Sequence, residues 1–186
     1  MQTLRQIWLF LIDTAQTFAI AVAMFLVVYF LIARPFQVSG DSMFPTYKDH
    51  EYIFTNLITP RFGTLKYGDV IVFLAPPSSN EEGKDFIKRV IGVPGDRIML
   101  ENGRVIKNGS LLEESDYLRS DVKTFGGSFL SENREVIVPT GYYFVLGDNR
   151  TFSSDSREWG FLAKKSIIGK SFFVYWPLDQ IRLTNN

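Results

Sequence analysis

The sequence predicts a mainly all-β fold of antiparallel sheets preceded by one N-terminal transmembrane α-helix. Three observations predict it. Thr14 to Ala33 is a run of 20 residues without a charge, Gly or Pro. Beyond Pro35, short β-branched and aromatic runs alternate with Gly, Pro and Asn-Gly punctuation. Few segments in that region keep a helical period.

Residues 1–13 read as a short N-terminal segment and 14–34 as the anchor, since 20 residues rising 1.5 Å each span about 30 Å of hydrocarbon. Asp13 and Arg34 bracket it, Tyr29 lies near one interface, and Pro35 disfavours helical geometry in the residue before it. A cleavable secretory signal has a shorter apolar core, of about 7 to 15 residues, and small residues at its cut. Leu31-Ile32-Ala33-Arg34-Pro35 lacks that pattern, so the anchor is expected to stay attached. Arg5 and the N-terminal amine on one side balance Arg34 and Lys48 on the other, so charge leaves the orientation open. Ala15, Ala19 and Ala23 fit close helix approach and chance spacing equally well; a monomer is expected.

In residues 35–186, strands are expected at Gln37 to Val38, Asp69 to Leu74, Phe86 to Val93, Arg97 to Glu101, Arg104 to Lys107, Val136 to Val138, Tyr142 to Leu146 and Lys170 to Trp176. Asn102-Gly103 and Asn108-Gly109 suit tight hairpin turns, whose two central residues need positive φ. Ser115 to Asn133 is polar and reads as a long loop, inside a smaller inserted β subdomain of about residues 98–140.

Composition then removes whole classes of function. Formal net charge is zero, and no block of like charge offers a footprint for nucleic acid. With no cysteine and one histidine, disulfides, thiol nucleophiles and Cys/His metal clusters are excluded; neither metal nor cofactor is expected. There is no Walker loop, dinucleotide fingerprint or HExxH helix. Gly40-Asp41-Ser42-Met43-Phe44 starts like a nucleophile elbow but lacks its second glycine. A Ser/His/Asp triad would have to recruit His50, which sits in a polar stretch where histidines are usually solvated.

Three segments stand out: Pro35 to Thr46, with a serine just outside the membrane; Asp85 to Asp96, with Lys88 inside an apolar alternating strand; and the polar run Gly147 to Gly160. Each alone has a plain explanation as turn, solvated strand face or loop. Together, Ser42-Met43-Phe44-Pro45-Thr46, Lys88-Arg89 followed by Gly92, Pro94, Gly95 and Asp96, and the Gly147 to Gly160 run resemble the signature boxes of type I signal peptidases, in the family's order. Gly68 to Phe73 resembles a further box.

That resemblance implies a signal-peptidase and repressor-protease type of fold, and a serine endopeptidase on the outer side of the plasma membrane that removes signal peptides from preproteins. It assigns Ser42 as nucleophile and Lys88 as general base. A free lysine, with a pKa of about 10.4, is neutral only about once in 2,500 at pH 7, so the role demands burial. Phe86, Val90 and the Tyr142 to Leu146 strand are the candidate apolar wall. The resemblance further implies that Ser153 orients the Lys88 ammonium, that Arg89 pairs with Asp148 and Arg157 with Asp155, and that Phe36, Gln37, Val38, Met43, Phe86 and Ile87 bind substrate, with small residues such as alanine before the cut. Gly40 stands where some relatives carry a serine that helps hold the oxyanion, and Thr151 and Phe152 replace polar residues. Lipid bilayer and preprotein are the partners implied. Two other readings stay in view: a Ser/Lys protease with a narrow or self-cleaving role, and an inactive membrane-bound scaffold.

Overall fold

The computed structural model describes residues 2–184. Helix α1 (Gln2–Val27) continues through a π-helical turn (Val28–Ile32) into strand β1 (Ala33–Gln37). It therefore begins well before the uncharged run at Thr14. Thr3–Ile32 is long and apolar enough to cross a membrane, and its apolar stretch is not buried against the rest of the protein. Pro35 falls within β1, an edge strand, where a missing N–H is tolerated. β1 stops at Gln37, but the Val38 N–H still bonds the Glu51 carbonyl at 2.8 Å.

The larger sheet also holds β2 (Tyr52–Asn56), β3 (Val70–Leu74), β4 (Asp85–Gly92), β9 (Tyr142–Leu146), β10 (Leu162–Ala163), β11 (Ile167–Trp176) and β12 (Arg182–Leu183). Its order is β1-β2-β11-β3-β4-β9-β10, with β12 paired to β11, and every pairing is antiparallel. A second sheet, ordered β7-β6-β5-β8, is inserted between β4 and β9 and consists of β5 (Arg97–Glu101), β6 (Arg104–Lys107), β7 (Ser110–Leu111) and β8 (Val136–Ile137). Asn102-Gly103 (φ 53° and 75°) and Asn108-Gly109 (φ 54° and 81°) close its two hairpins in the left-handed conformation their sequence favours. No strand or α-helix interrupts Ser115 to Asn133. Two short helices, α2 (Ile58–Phe62) and α3 (Ser156–Trp159), lie outside the sheets.

The central strands are buried on both faces, and their two-residue period sorts side chains between separate cores. Along β9, Tyr143 and Val145 join one cluster with Ile71, Phe73, Val90 and Trp159, while Phe144 and Leu146 join Ile98, Leu100 and Val136 of the second sheet. Along β3, Ile71 and Phe73 face the first cluster, whereas Val70 and Val72 face a third with Val38, Met43, Tyr47 and Ile87. The first and second segments singled out by sequence thus meet in the third core.

Candidate active site

Ser42 sits on a tight turn clamped from both sides. Before it, Gly40 adopts φ 81° and donates its N–H to Asp49 Oδ1 at 2.8 Å. After it, Met43 and Tyr47 are fully buried beside Val38, Ile53 and Ile87, so the turn is nailed into the core. This corrects one expectation: Met43 is not a groove-lining residue, because an apolar side chain next to a half-exposed serine is drawn inward. From across the molecule, Asn149 donates its backbone N–H to the Ser42 carbonyl and its side-chain amide to the Asp41 carbonyl, each at 3.0 Å. Nothing in the local sequence around Asn149 marks this role.

Lys88, on β4, is 3% exposed, and its Nζ lies 2.8 Å from Ser42 Oγ and 2.9 Å from the Ile87 carbonyl. Strand alternation puts it on the same face as Phe86, whose ring centroid is 5.1 Å from Nζ, and Val90. Among the described residues it forms no ion pair. Burial lowers its pKa from 10.5 to about 8, against the opposing pull of Asp155, Asp148 and Glu81. At pH 7, about one molecule in ten then carries a neutral amine. Ser153 departs from expectation: its hydroxyl is buried without a hydrogen-bond partner and makes no bond to Lys88, whose Nζ contacts Ser42 and Ile87 instead.

Two buried ion pairs fasten the third segment. Arg89 Nε and Nη2 reach Asp148 at 2.8 and 2.6 Å, and Thr46 donates to the same carboxylate at 2.5 Å. Asp155 caps α3 by accepting from the Arg157 N–H, binds the Arg157 guanidinium at 2.8 Å, and accepts the Gly147 N–H at 3.0 Å. Both aspartates are thereby kept off Nζ. A third buried cation that sequence had not singled out, Arg150, ties Gly147's carbonyl at 3.1 Å to Glu114 at 2.5 Å in the polar stretch beyond β7. Replacing Asp148 by Ala leaves the Arg89 charge buried and unpaired, and the expected loss, about 3 to 5 kcal/mol, is measurable by urea unfolding. Unchanged stability would show that the pair is not holding this segment.

A groove of about 400 Å³ opens onto Ser42 and Lys88. Phe36, Gln37 and Val38 form one wall, and Phe86 and Ile87 the other. Both walls present unpaired strand edges: β1 pairs only with β2, and β4 joins β9 only from Arg89 onward, leaving Asp85 to Lys88 open on that side. Gly40 and Phe152 contribute to the lining as well. His50 is far more exposed, with 79% of its side chain accessible, and pairs loosely with Asp49 at 3.4 Å.

Ser42 is thus hydrogen-bonded to a buried lysine beside two open strand edges, the kind of edge to which an extended peptide adds as a further strand. Residues 11–176 match the family model described as signal peptidase, peptidase S26. The chain is 34% identical to signal peptidase IB of Staphylococcus aureus strain MRSA252, with 95% of each covered, and 36% identical to signal peptidase I S of Bacillus subtilis strain 168, with 94% of each covered. A crystal structure of a signal peptidase I from Enterococcus faecalis V583 shares 30% identity with a TM-score of 0.46, covering 57% of this chain and 96% of that one. The chain belongs to the signal peptidase family.

Proposed function

We propose that this chain removes N-terminal signal peptides from translocated preproteins through an ester formed on Ser42, with Lys88 as general base. The observation that carries the reading is the 2.8 Å contact between Ser42 Oγ and an Nζ whose charge is disfavoured by burial. The neutral Lys88 amine takes the Ser42 proton as Oγ attacks the scissile carbonyl. The resulting ammonium then protonates the leaving amine as the C–N bond breaks. Water, deprotonated by the same amine, hydrolyses the ester and restores Ser42. The Ser42 N–H, which donates to no protein group among the described residues, is available to the oxyanion. The Gly40 N–H is already taken by Asp49, and glycine adds no hydroxyl.

The substrate lies extended between β1 and β4, adding main-chain hydrogen bonds to their open edges while alternate side chains enter shallow pockets beside Phe36, Val38, Phe86 and Ile87. Small residues such as alanine fit before the cut. Asn149, Arg89–Asp148 and Asp155–Arg157 keep the Ser42 turn and β4 in register. The helix spans the plasma membrane and holds the catalytic domain on its outer side. Confinement to the surface where precursor signal helices emerge raises their effective concentration without any added contact.

The test is cleavage of a signal-bearing precursor by the full chain in vesicles, with the product's new N-terminus sequenced. Ser42→Ala is expected to abolish cleavage without unfolding; a Ser42→Ala protein that still cuts would overturn the assignment. The pH dependence carries its own sign. The active form is the unprotonated Lys88, so kcat/KM should rise tenfold per pH unit below about 8 and level off above it. A limb centred near 6.5, the ordinary range of a histidine, would point to His50 instead.

A further inference from the structure

The largest cavity among those described, about 840 Å³, is not the Ser42 groove. It lies where the helix joins the sheet, and its lining includes Arg34, Arg61, Lys164 and Lys165 but no carboxylate. Among the described residues none of these four cations forms an ion pair. Asp85 is close enough to feel the Arg34 charge without pairing with it. The buried Arg34 Nε has no hydrogen-bond partner. Gathering four cations without counter-charge is unfavourable unless an anion completes the site.

Position says which anion. The Leu57 N–H bonds the Ile32 carbonyl at 2.8 Å, tying the start of α2 to the last residue of the apolar helix. Arg34 follows two residues later, about 7 Å along an extended chain, and its guanidinium lies 5.5 Å from the Tyr29 ring centroid. Tyrosine and arginine at a helix exit mark headgroup depth. On the adjoining α2, Phe62 is 85% exposed beside Arg61, an apolar ring and a cation side by side at that same exit. We infer that this cavity binds the phosphate of an anionic phospholipid, with Arg34, Arg61, Lys164 and Lys165 around the headgroup and Phe62 in the acyl boundary. The inference rests on the membrane-spanning reading of the helix.

The test uses the full chain, purified in neutral detergent and offered equal amounts of phosphatidylglycerol and phosphatidylcholine, with retained lipid counted by native mass spectrometry. The wild type is expected to retain phosphatidylglycerol selectively. The double variant Arg61→Gln/Lys165→Gln, which changes two exposed side chains, should lose about 25-fold in that retention while keeping its peptide cleavage in detergent. Arg97→Gln/Lys123→Gln, which removes two charges from the second-sheet region, should retain it. Equal retention by the wild type and the Arg61/Lys165 variant, or equal loss in both double variants, overturns the site. Displacement of the lipid by an equal concentration of inorganic phosphate would also overturn it, by assigning the cavity to a free anion. Alkaline carbonate extraction separates the two readings. A wild-type chain that stays in vesicles but shows no lipid preference defeats only the headgroup site; a chain released from vesicles defeats the span and the site together.

Discussion

Replacing Lys88 by Met is expected to abolish precursor cleavage and to make the fold less sensitive to pH. Loss of a general base removes about 10² to 10⁴ in rate, and no other amine reaches Ser42 Oγ among the described residues. The stability effect follows from the depressed pKa. Holding an ammonium at about 8 rather than 10.5 costs the native state on the order of 3 kcal/mol wherever the unfolded chain is protonated and the folded chain is strained to match it. The cost is full below pH 8, and it fades as pH rises towards 10.5, where both states are losing the proton. Met removes that cost but also two hydrogen bonds worth about 1 kcal/mol each. The net gain at pH 7 is therefore about 1 kcal/mol. Between pH 8 and 10.5 the wild type should gain about 3 kcal/mol on the variant. Denaturant titrations of both proteins at pH 7 and pH 10.5 measure the difference. A stability gap that does not change between these pH values would mean that the fold does not depress the Lys88 pKa.

Gly147→Ala is the second large effect, and it acts through space rather than charge. A Cβ at this position would sit 2.5 Å from the Ser42 carbonyl oxygen and closer still to Ser153 Oγ. The backbone cannot slide away, because the Gly147 N–H is bonded to Asp155 and its carbonyl to Arg150. The Ser42 turn must then move, although Asn149 and the buried Met43 hold it. Overpacking of this kind costs about 1 to 3 kcal/mol. A displacement near 1 Å between nucleophile and base is expected to lower kcat about 100-fold or more. Steady-state kinetics and thermal melting of the variant separate the two effects; wild-type kcat would show that the Gly147 contact does not set the position of Ser42.

Ser42 and Lys88 stand out in sequence through the resemblance of their segments to the family's boxes, since each alone reads equally well as a turn serine or a strand lysine; the fold brings Oγ and Nζ to 2.8 Å. The hairpins of the second sheet were legible too, since Asn-Gly pairs determine their own backbone locally. β2 was not legible although Ile53 and Thr55 are buried between less buried neighbours, because its apolar alternation is brief and runs into polar residues at Thr55 and Asn56. The roles of Gly147 and Asn149 were hidden for a different reason. Each works through backbone atoms of a turn about a hundred residues away, and no local pattern records such a contact. Met43 was misread because adjacency to a reactive serine says nothing of side-chain direction, which packing decides. Ser153 shows the reverse case: its place in the third segment brings its hydroxyl close to the site, yet the bond to Lys88 is not made.

Direct titration of Lys88 bears most closely on the claim that a neutral lysine activates Ser42. With lysine labelled by carbon-13 at Cε in the full chain in micelles, the resonance missing from Lys88→Met is expected to titrate near 8 and to match the limb of kcat/KM. A Lys88 resonance that stays charged above about pH 10 would contradict the account, because the base it requires would then be almost absent at neutral pH.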